Sequence, residues 1–193
     1  LITGAGAPGA PGVIKLLKLG GYKLLVGDAS TNCSGRYLHD SYVQLPLAED
    51  SLFIDTLLSI CLEKKVDIVF PLVTKELSKL SNSKDQFTKN SIQIIVSDNY
   101  GLQIANDKIK LYQNLSKYDF PIPAYYAVNT MKQIVQSAIK LGYPEKNVVI
   151  KPGSSNGSRG IRIFSASHDY LDALLNQKPS NLFTTLELFE STF

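Results

Sequence analysis

The first hundred residues alternate between short apolar runs and longer amphipathic segments, and no other feature of the sequence constrains the fold as strongly. Apolar runs of strand length occur at residues 1–3, 22–26, 42–45, 67–70 and 91–96. Segments with apolar residues at helical spacing lie between them, at residues 11–19, 51–63 and 75–80. Because strands that alternate with helices pair in parallel, we predict an α/β, doubly wound parallel sheet.

The pattern changes near Asn106. Helical spacing recurs at residues 106–118, 131–141 and 169–175. The apolar runs NVVIK and IRIFS flank a loop of about nine residues, which predicts an antiparallel hairpin. Near the end, Thr184 and Glu187 have the spacing of a capping box and predict that a helix begins there. We therefore predict two domains, residues 1–106 and residues 107–193.

Composition narrows the classes of function. The net charge of +3 is too small to indicate a nucleic-acid-binding protein. No apolar run approaches the roughly 18 residues of a membrane span. Cys33 and Cys61 have no metal-ligand spacing and are too few for a disulfide framework, so we expect a cytoplasmic protein. The chain starts without methionine and has no stop signal at Phe193, so we interpret it as a piece of a longer protein.

Residues 4–9, here called the first glycine loop, read G-x-G-x-x-G between a strand and a helix. Asp28 lies at the end of the second strand, where a dinucleotide-binding fold places its ribose-binding acid. Pro8 counts against that interpretation because it removes an amide that a pyrophosphate would use. Glycines also permit a tight strand-to-helix turn in any fold of this kind. Two hypotheses therefore stay open for this loop: NAD binding, and a turn with a structural or substrate-facing role.

Residues 152–160, here called the second glycine loop, follow Lys151 and have the sequence PGSSNGSRG. The spacing is not that of a Walker A site, and the segment after the loop is a strand. Glycines let backbone amides approach phosphate oxygens, and the serine hydroxyls, Ser155 and Ser158 among them, add donors. Lys151 would supply a point charge and Arg159 a fork of donors. This pattern favours a flap that closes over a nucleotide.

Taken together, the motifs resemble the ATP-grasp superfamily, most closely the branch typified by the large subunit of carbamoyl phosphate synthetase. The matching segments occur in the family's order and spacing, at residues 1–22, 66–72, 105–108, 121–126, 141–144 and 149–163. The resemblance implies a Rossmann-like pre-ATP-grasp domain at residues 1–106. It implies the N-terminal part of an incomplete α+β ATP-grasp domain at residues 107–193.

The resemblance also implies a binding site for ATP. Lys108 corresponds to the basic residue of an Asp-Lys pair at the phosphates, and Lys151 to the lysine of the strand before the flexible loop. The closing loop corresponds to Gly157, Ser158, Arg159 and Gly160. We assign no catalytic residue and no metal ligand. The family's Mg²⁺ ligands are expected beyond residue 193.

The activity implied by the resemblance is that of an ATP-dependent ligase. Such enzymes activate a carboxylate as an acyl phosphate, which an amine or similar nucleophile then attacks. The expected partners are ATP and a small carboxylate, without nucleic acid or membrane; a homodimer is left open. The chain departs from the family at Glu187 and Glu190, which lie in a predicted helix and are assigned neither as hinge nor as metal ligand. Two alternatives stay open: a non-catalytic nucleotide- or NAD-binding Rossmann module, and a substrate-binding or interface domain without nucleotide chemistry.

Overall fold

The computed structural model describes residues 1–39, 41–155, 159–176 and 182–192. The chain divides into two compact units, Leu1–Gln103 and Ile104–Phe193. The sequence placed this division after residue 106.

The first unit is built on a five-stranded sheet in the order β3-β2-β1-β4-β5, and each pair of neighbouring strands is parallel. The predicted α/β fold with a parallel sheet is thereby confirmed. Strands β1 to β3 are added toward one edge of the sheet, and β4 and β5 are added on the other side of β1. The strand order therefore reverses between β1 and β4. The elements are β1 (Ile2–Thr3), α1 (Ala10–Leu19), β2 (Val26–Asp28), α2 (Ser34–Leu38), β3 (Tyr42–Gln44), α3 (Phe53–Glu63), β4 (Ile68–Pro71), α4 (Thr74–Asn82), α5 (Lys84–Thr88), β5 (Gln93–Ile94) and α6 (Asn99–Ala105).

Both faces of this sheet are covered. Leu1 packs in one apolar cluster with Phe53 and Leu57 of α3, whereas its neighbour Ile2 packs in a second cluster with Ile14 of α1. Successive strand residues point to opposite faces, so the two clusters lie on the two sides of the sheet. Burial of each large side chain stabilises the unit by about 1.5–3 kcal/mol. This double coverage explains why the strands read as continuous apolar runs.

Several local predictions for the first unit were wrong. The helical spacing of apolar residues over 11–19 includes Leu16 and predicts that it is buried, yet 69% of Leu16 is exposed. The run predicted as a strand at residues 22–26 pairs only from Val26 onward. Helices α2, α5 and α6 were not predicted; α2 and α5 have only five residues each, too few to show helical periodicity.

The second unit contains a three-stranded sheet in the order β6-β7-β8. The predicted hairpin is confirmed: β6 and β7 are antiparallel, with Val148 opposite Phe164 and Ile150 opposite Arg162. Strand β8 was not predicted and pairs in parallel with β7. The elements are α7 (Lys108–Ser116), α8 (Met131–Lys140), β6 (Val148–Ile150), β7 (Arg162–Phe164), α9 (Tyr170–Asn176), β8 (Phe183–Thr184) and α10 (Leu186–Thr192). The core of this unit is formed by Ala138, Tyr143, Val148, Phe164 and Leu186.

Candidate functional site

The β6–β7 hairpin positions Lys151 at the start of the second glycine loop. Val148 is buried in the core of the second unit, and Ile150 packs against the same cluster. Since side chains alternate along a strand, Lys151 follows on the opposite face from these two residues. Its side chain is exposed. The hairpin thus presents a cation to solvent where the loop begins.

Helix α7 begins against the same loop. Asp107 caps the helix, and its Oδ1 accepts hydrogen bonds from the amides of Ile109 at 3.0 Å and Lys110 at 3.1 Å. The amide of Lys108 donates to the carbonyl of Gly153 at 2.9 Å. A helix start and a loop 45 residues apart are therefore joined through the backbone.

The side chain of Lys108 reaches into the loop as well. Its Nζ donates to Oγ of Ser155 at 3.4 Å. Within the described ranges, no carboxylate lies within ion-pair distance of Lys108 or Lys151. Two cations without an anionic partner thus flank a loop whose hydroxyl groups are donors, which suits a polyanion such as a phosphate chain.

The far end of the second glycine loop returns to its start. Gly160 has a φ of +74°, and a Cβ placed on it would lie 2.7 Å from Cγ of Pro152. Glycine is required there by both the backbone conformation and the close approach. Arg159 is exposed beside it. The predicted residues Gly157 and Ser158 lie outside the described residues.

The first glycine loop has a different arrangement. Oδ2 of Asp28 accepts a hydrogen bond from the amide of Gly6 at 2.7 Å, and Oδ1 accepts one from the amide of Ser30 at 2.8 Å. The carboxylate that a ribose would require is thus already bound within the unit. Gly4 has a φ of +67°, and a Cβ on it would lie 2.3 Å from Cγ2 of Val73. This geometry favours the structural interpretation of the loop.

Sequence reasoning missed one ionisable group, Glu76, in the first turn of α4. Only 6% of Glu76 is exposed, and its carboxylate accepts a hydrogen bond from the hydroxyl of Thr3, which is fully buried. Burial is the main cause that raises the pKa of Glu76, to about 7. The hydrogen bond from Thr3 lowers this pKa, and the negative charge of Asp28 raises it by a smaller amount. In the sequence Glu76 resembles an ordinary first-turn acid, so no pattern marked it.

Within the described residues, the carboxylates form no cluster of the kind that holds a metal ion. The part of the chain that the structure describes holds no group of three or more His, Cys, Asp or Glu residues placed to share a metal ion. Glu187 lies in α10 and accepts a hydrogen bond from the hydroxyl of Tyr143 at 3.3 Å. The helix starts as predicted, but the capping residue is Thr185, whose Oγ1 accepts from the amide of Leu188 at 3.1 Å. No described helix is long and apolar enough to cross a membrane.

Family models match the two parts of the chain separately. Residues 1–95 match the model of a PylC-like, N-terminal domain, and residues 105–178 match the model of an ATP-grasp domain. The two matches follow the order of the two units. The expected resemblance to the ATP-grasp superfamily is confirmed.

Three particular proteins illustrate the similarity. The chain is 25% identical over 114 residues to the carbamoyl phosphate synthase large chain of Clostridium acetobutylicum, which covers 59% of this chain and 10% of that protein. It superposes on N5-carboxyaminoimidazole synthetase from Staphylococcus aureus, complexed with ADP, with a TM-score of 0.57 and 20% identity, covering 84% of this chain and 39% of the other. It also superposes on N5-carboxyaminoimidazole ribonucleotide synthetase from Thermotoga maritima with a TM-score of 0.55 and 22% identity. That superposition covers 92% of this chain and 43% of the other. The structural matches establish the fold, and the chain spans less than half the length of each of these relatives.

Proposed function

We propose that this chain is part of an ATP-dependent ligase of the ATP-grasp type, which activates a carboxylate as an acyl phosphate for attack by an amine or similar nucleophile. The observation that carries the proposal is the double contact of Lys108 with the second glycine loop, through its amide to Gly153 and through its ammonium group to Ser155. In this proposal residues 1–106 are the pre-ATP-grasp domain and residues 107–193 the N-terminal part of the ATP-grasp domain.

The proposed ATP site uses the charges that the hairpin and α7 bring to the loop. Lys108 and Lys151 neutralise phosphate oxygens, and the hydroxyl of Ser155 moves from the ammonium group of Lys108 to a phosphate oxygen. Arg159 adds a fork of donors from the far end of the loop. Gly157, Ser158 and Gly160 complete the closing loop on the strength of the family resemblance alone.

The proposed reaction has two steps. A carboxylate oxygen of the substrate bonds to the terminal phosphorus of ATP, and the bond from that phosphorus to the bridging oxygen breaks, so that ADP leaves. The nucleophile then bonds to the carbonyl carbon of the acyl phosphate, which loses inorganic phosphate, while the proton of the amine passes to solvent or a base. The lysines stabilise the negative charge on the transferred group, and a closed loop would keep water from the acyl phosphate. The magnesium that the family uses would need ligands outside the described residues.

The setting of this activity is part of the same proposal. A cytoplasmic protein fits the cytoplasmic supply of ATP, and a small carboxylate is the second partner. Neither nucleic acid nor membrane has a role in it, and a homodimer is compatible with it.

ATP affinity of the Lys151→Met variant tests the proposal, with Lys132→Met as the matched control. Lys132 is an exposed lysine of α8 in the same unit. Loss of a charged hydrogen bond is worth about 1.5–3 kcal/mol, so we expect ATP to bind roughly 10- to 100-fold more weakly to Lys151→Met in a calorimetric titration. The control is expected to bind as the parent does. Equal affinity of the parent and Lys151→Met would contradict the proposal.

A further inference from the structure

A carboxylate stands next to a lysine of the proposed ATP site, although its charge has the wrong sign for binding an anion. Asp107 directly precedes Lys108 in the chain. A free carboxylate beside a phosphate chain would repel it and weaken its binding. The contacts of Asp107 explain how the residue is compatible with such a site.

Both oxygens of the Asp107 carboxylate face positive groups of its own helix. Oδ1 accepts hydrogen bonds from the amides of Ile109 and Lys110, at 3.0 and 3.1 Å. Oδ2 lies 4.0 Å from Nζ of Lys110. Amides at a helix start carry a partial positive charge, and together with the ammonium group they offset part of the negative charge of Asp107.

The backbone amides at the start of α7 are bound by protein groups. The first four amides of a helix have no acceptor within the helix itself. Here the amide of Asp107 donates to the carbonyl of Ile104 at 3.2 Å, and the amide of Lys108 donates to the carbonyl of Gly153 at 2.9 Å. The side chain of Asp107 binds the other two. None of these four amides is left for a phosphate, so this turn can bind an anion only through a side chain.

The position of Lys108 depends on this arrangement. Because Asp107 binds the amides of the two residues that follow Lys108, it holds the first turn of α7 in helical form. The held turn aims the amide of Lys108 at the carbonyl of Gly153 and its ammonium group at Oγ of Ser155, 3.4 Å away. A turn that frays for lack of a cap would loosen both contacts.

We propose that Asp107 is a positioning residue of the ATP site: by capping α7 it holds Lys108 at the base of the second glycine loop. Its own charge takes no part in binding the nucleotide. This inference rests on the proposed function, since it takes Lys108 to bind phosphate. The Asp-Lys pair then has divided roles, in which one residue organises the turn and the other contacts the ligand.

Two variants of Asp107 and one of Thr130 test this role. Thr130 caps α8 in the same unit, where its Oγ1 accepts from the amide of Gln133 at 3.3 Å. Asp107→Ala removes the cap and the charge, and Asp107→Asn removes the charge alone, because asparagine caps a helix about as well as aspartate. Thr130→Ala removes a cap from a different helix. The measurements are the ATP affinity by calorimetric titration, amide hydrogen exchange at Lys108 and the urea midpoint.

We expect Asp107→Ala to bind ATP about 3- to 30-fold more weakly than the parent, the factor that corresponds to the loss of a helix cap. Exchange of the Lys108 amide should become faster by a similar factor. Asp107→Asn should stay within about twofold of the parent in both measurements. Thr130→Ala should lower the urea midpoint about as much as Asp107→Ala does, without a change in ATP affinity or in exchange at Lys108.

The direction of the change in ATP affinity separates positioning from electrostatics. Removal of a negative charge near a polyanion would by itself tighten binding. Equal or tighter binding by Asp107→Ala would therefore overturn the proposal, as would unchanged exchange at Lys108 or an equal loss of affinity in Thr130→Ala. If the parent binds no ATP, the proposed function fails, and exchange at Lys108 in the three variants still decides whether Asp107 positions that residue.

Discussion

The two glycine-rich loops of this chain resemble each other in sequence and differ in what satisfies their polar groups. In the first glycine loop, the amide of Gly6 is bound by the carboxylate of Asp28. In the second, the described contacts fix only its base: Gly153 accepts from Lys108, and Ser155 meets an ammonium group that has no carboxylate within ion-pair distance among the described residues. A loop whose donors are bound internally serves the fold, whereas a loop with cations left over can bind an anion.

The largest effect is expected at Gly4 in the first glycine loop. Alanine there would place a Cβ 2.3 Å from Val73 on a backbone with positive φ. Overpacking costs about 1–3 kcal/mol and the left-handed backbone roughly 1–2 more, so Gly4→Ala should lower the free energy of unfolding by about 2–5 kcal/mol in urea titration. In the matched variant Gly9→Ala, the added Cβ has no atom within 4 Å, so the free energy of unfolding should change little. Similar losses in the two variants would show that the contact with Val73 does not restrict position 4.

The next effect is a pH dependence of stability at Glu76, which is hydrogen-bonded to Thr3, the residue just before the first glycine loop. The raised pKa of about 7 means that the folded state holds a proton that the unfolded state has released above about pH 4.5. The stability linked to this proton is fully present below pH 4.5 and is lost as the pH rises through 7. One pKa unit is worth about 1.4 kcal/mol, so the loss should be on the order of 3 kcal/mol by about pH 8.

Glu76→Gln should remove this pH dependence, because the amide stays uncharged. The measurement is the urea midpoint of parent and variant at several values between about pH 4 and pH 8. Glu63→Gln, at an exposed glutamate of α3, is the control and should keep the slope of the parent. Parallel slopes for the parent and Glu76→Gln would rule out the coupling to Glu76.

A smaller effect is expected at Asp28. Asp28→Asn keeps the shape of the side chain but leaves one of the amides of Gly6 and Ser30 without an acceptor, at a cost of about 1–3 kcal/mol. The exposed Asp98 gives the control, Asp98→Asn, which should change the urea midpoint little. Because Asp28 is bound internally, neither protein should quench NADH fluorescence saturably. Saturable quenching by the parent that is lost in the variant would instead support the NAD-binding module.

The sequence predicted the architecture better than its details. Alternating strands and helices were enough for the parallel sheet, and the runs on either side of the second glycine loop were enough for the hairpin. Leu16 followed the apolar spacing of α1 and is exposed nonetheless, because spacing does not reveal which part of a helix finds a neighbour. The two-residue strand β8 carries no period of its own.

The candidate site was predictable in part for similar reasons. Lys108 and Lys151 were predicted from the sequence, because one belongs to an Asp-Lys pair and the other precedes the second glycine loop. The hydrogen bond from Lys108 to Gly153 is a contact between residues far apart in the chain, which no local pattern encodes. The role of Asp28 as a partner of Gly6, rather than of a ligand, also depended on such a contact. Buried Glu76 was hidden because burial is a property of the fold.

A titration of the ¹⁵N-labelled protein with ATP, followed by amide chemical shifts, tests the contrast between the two loops most directly. We expect concentration-dependent shifts at Lys108, Gly153 and Ser155, and none at Gly6 or Ser30. Shifts at Gly6 and Ser30 with none at Lys108 would contradict this expectation, because the nucleotide would then bind at the first glycine loop, where Asp28 already accepts hydrogen bonds from both amides.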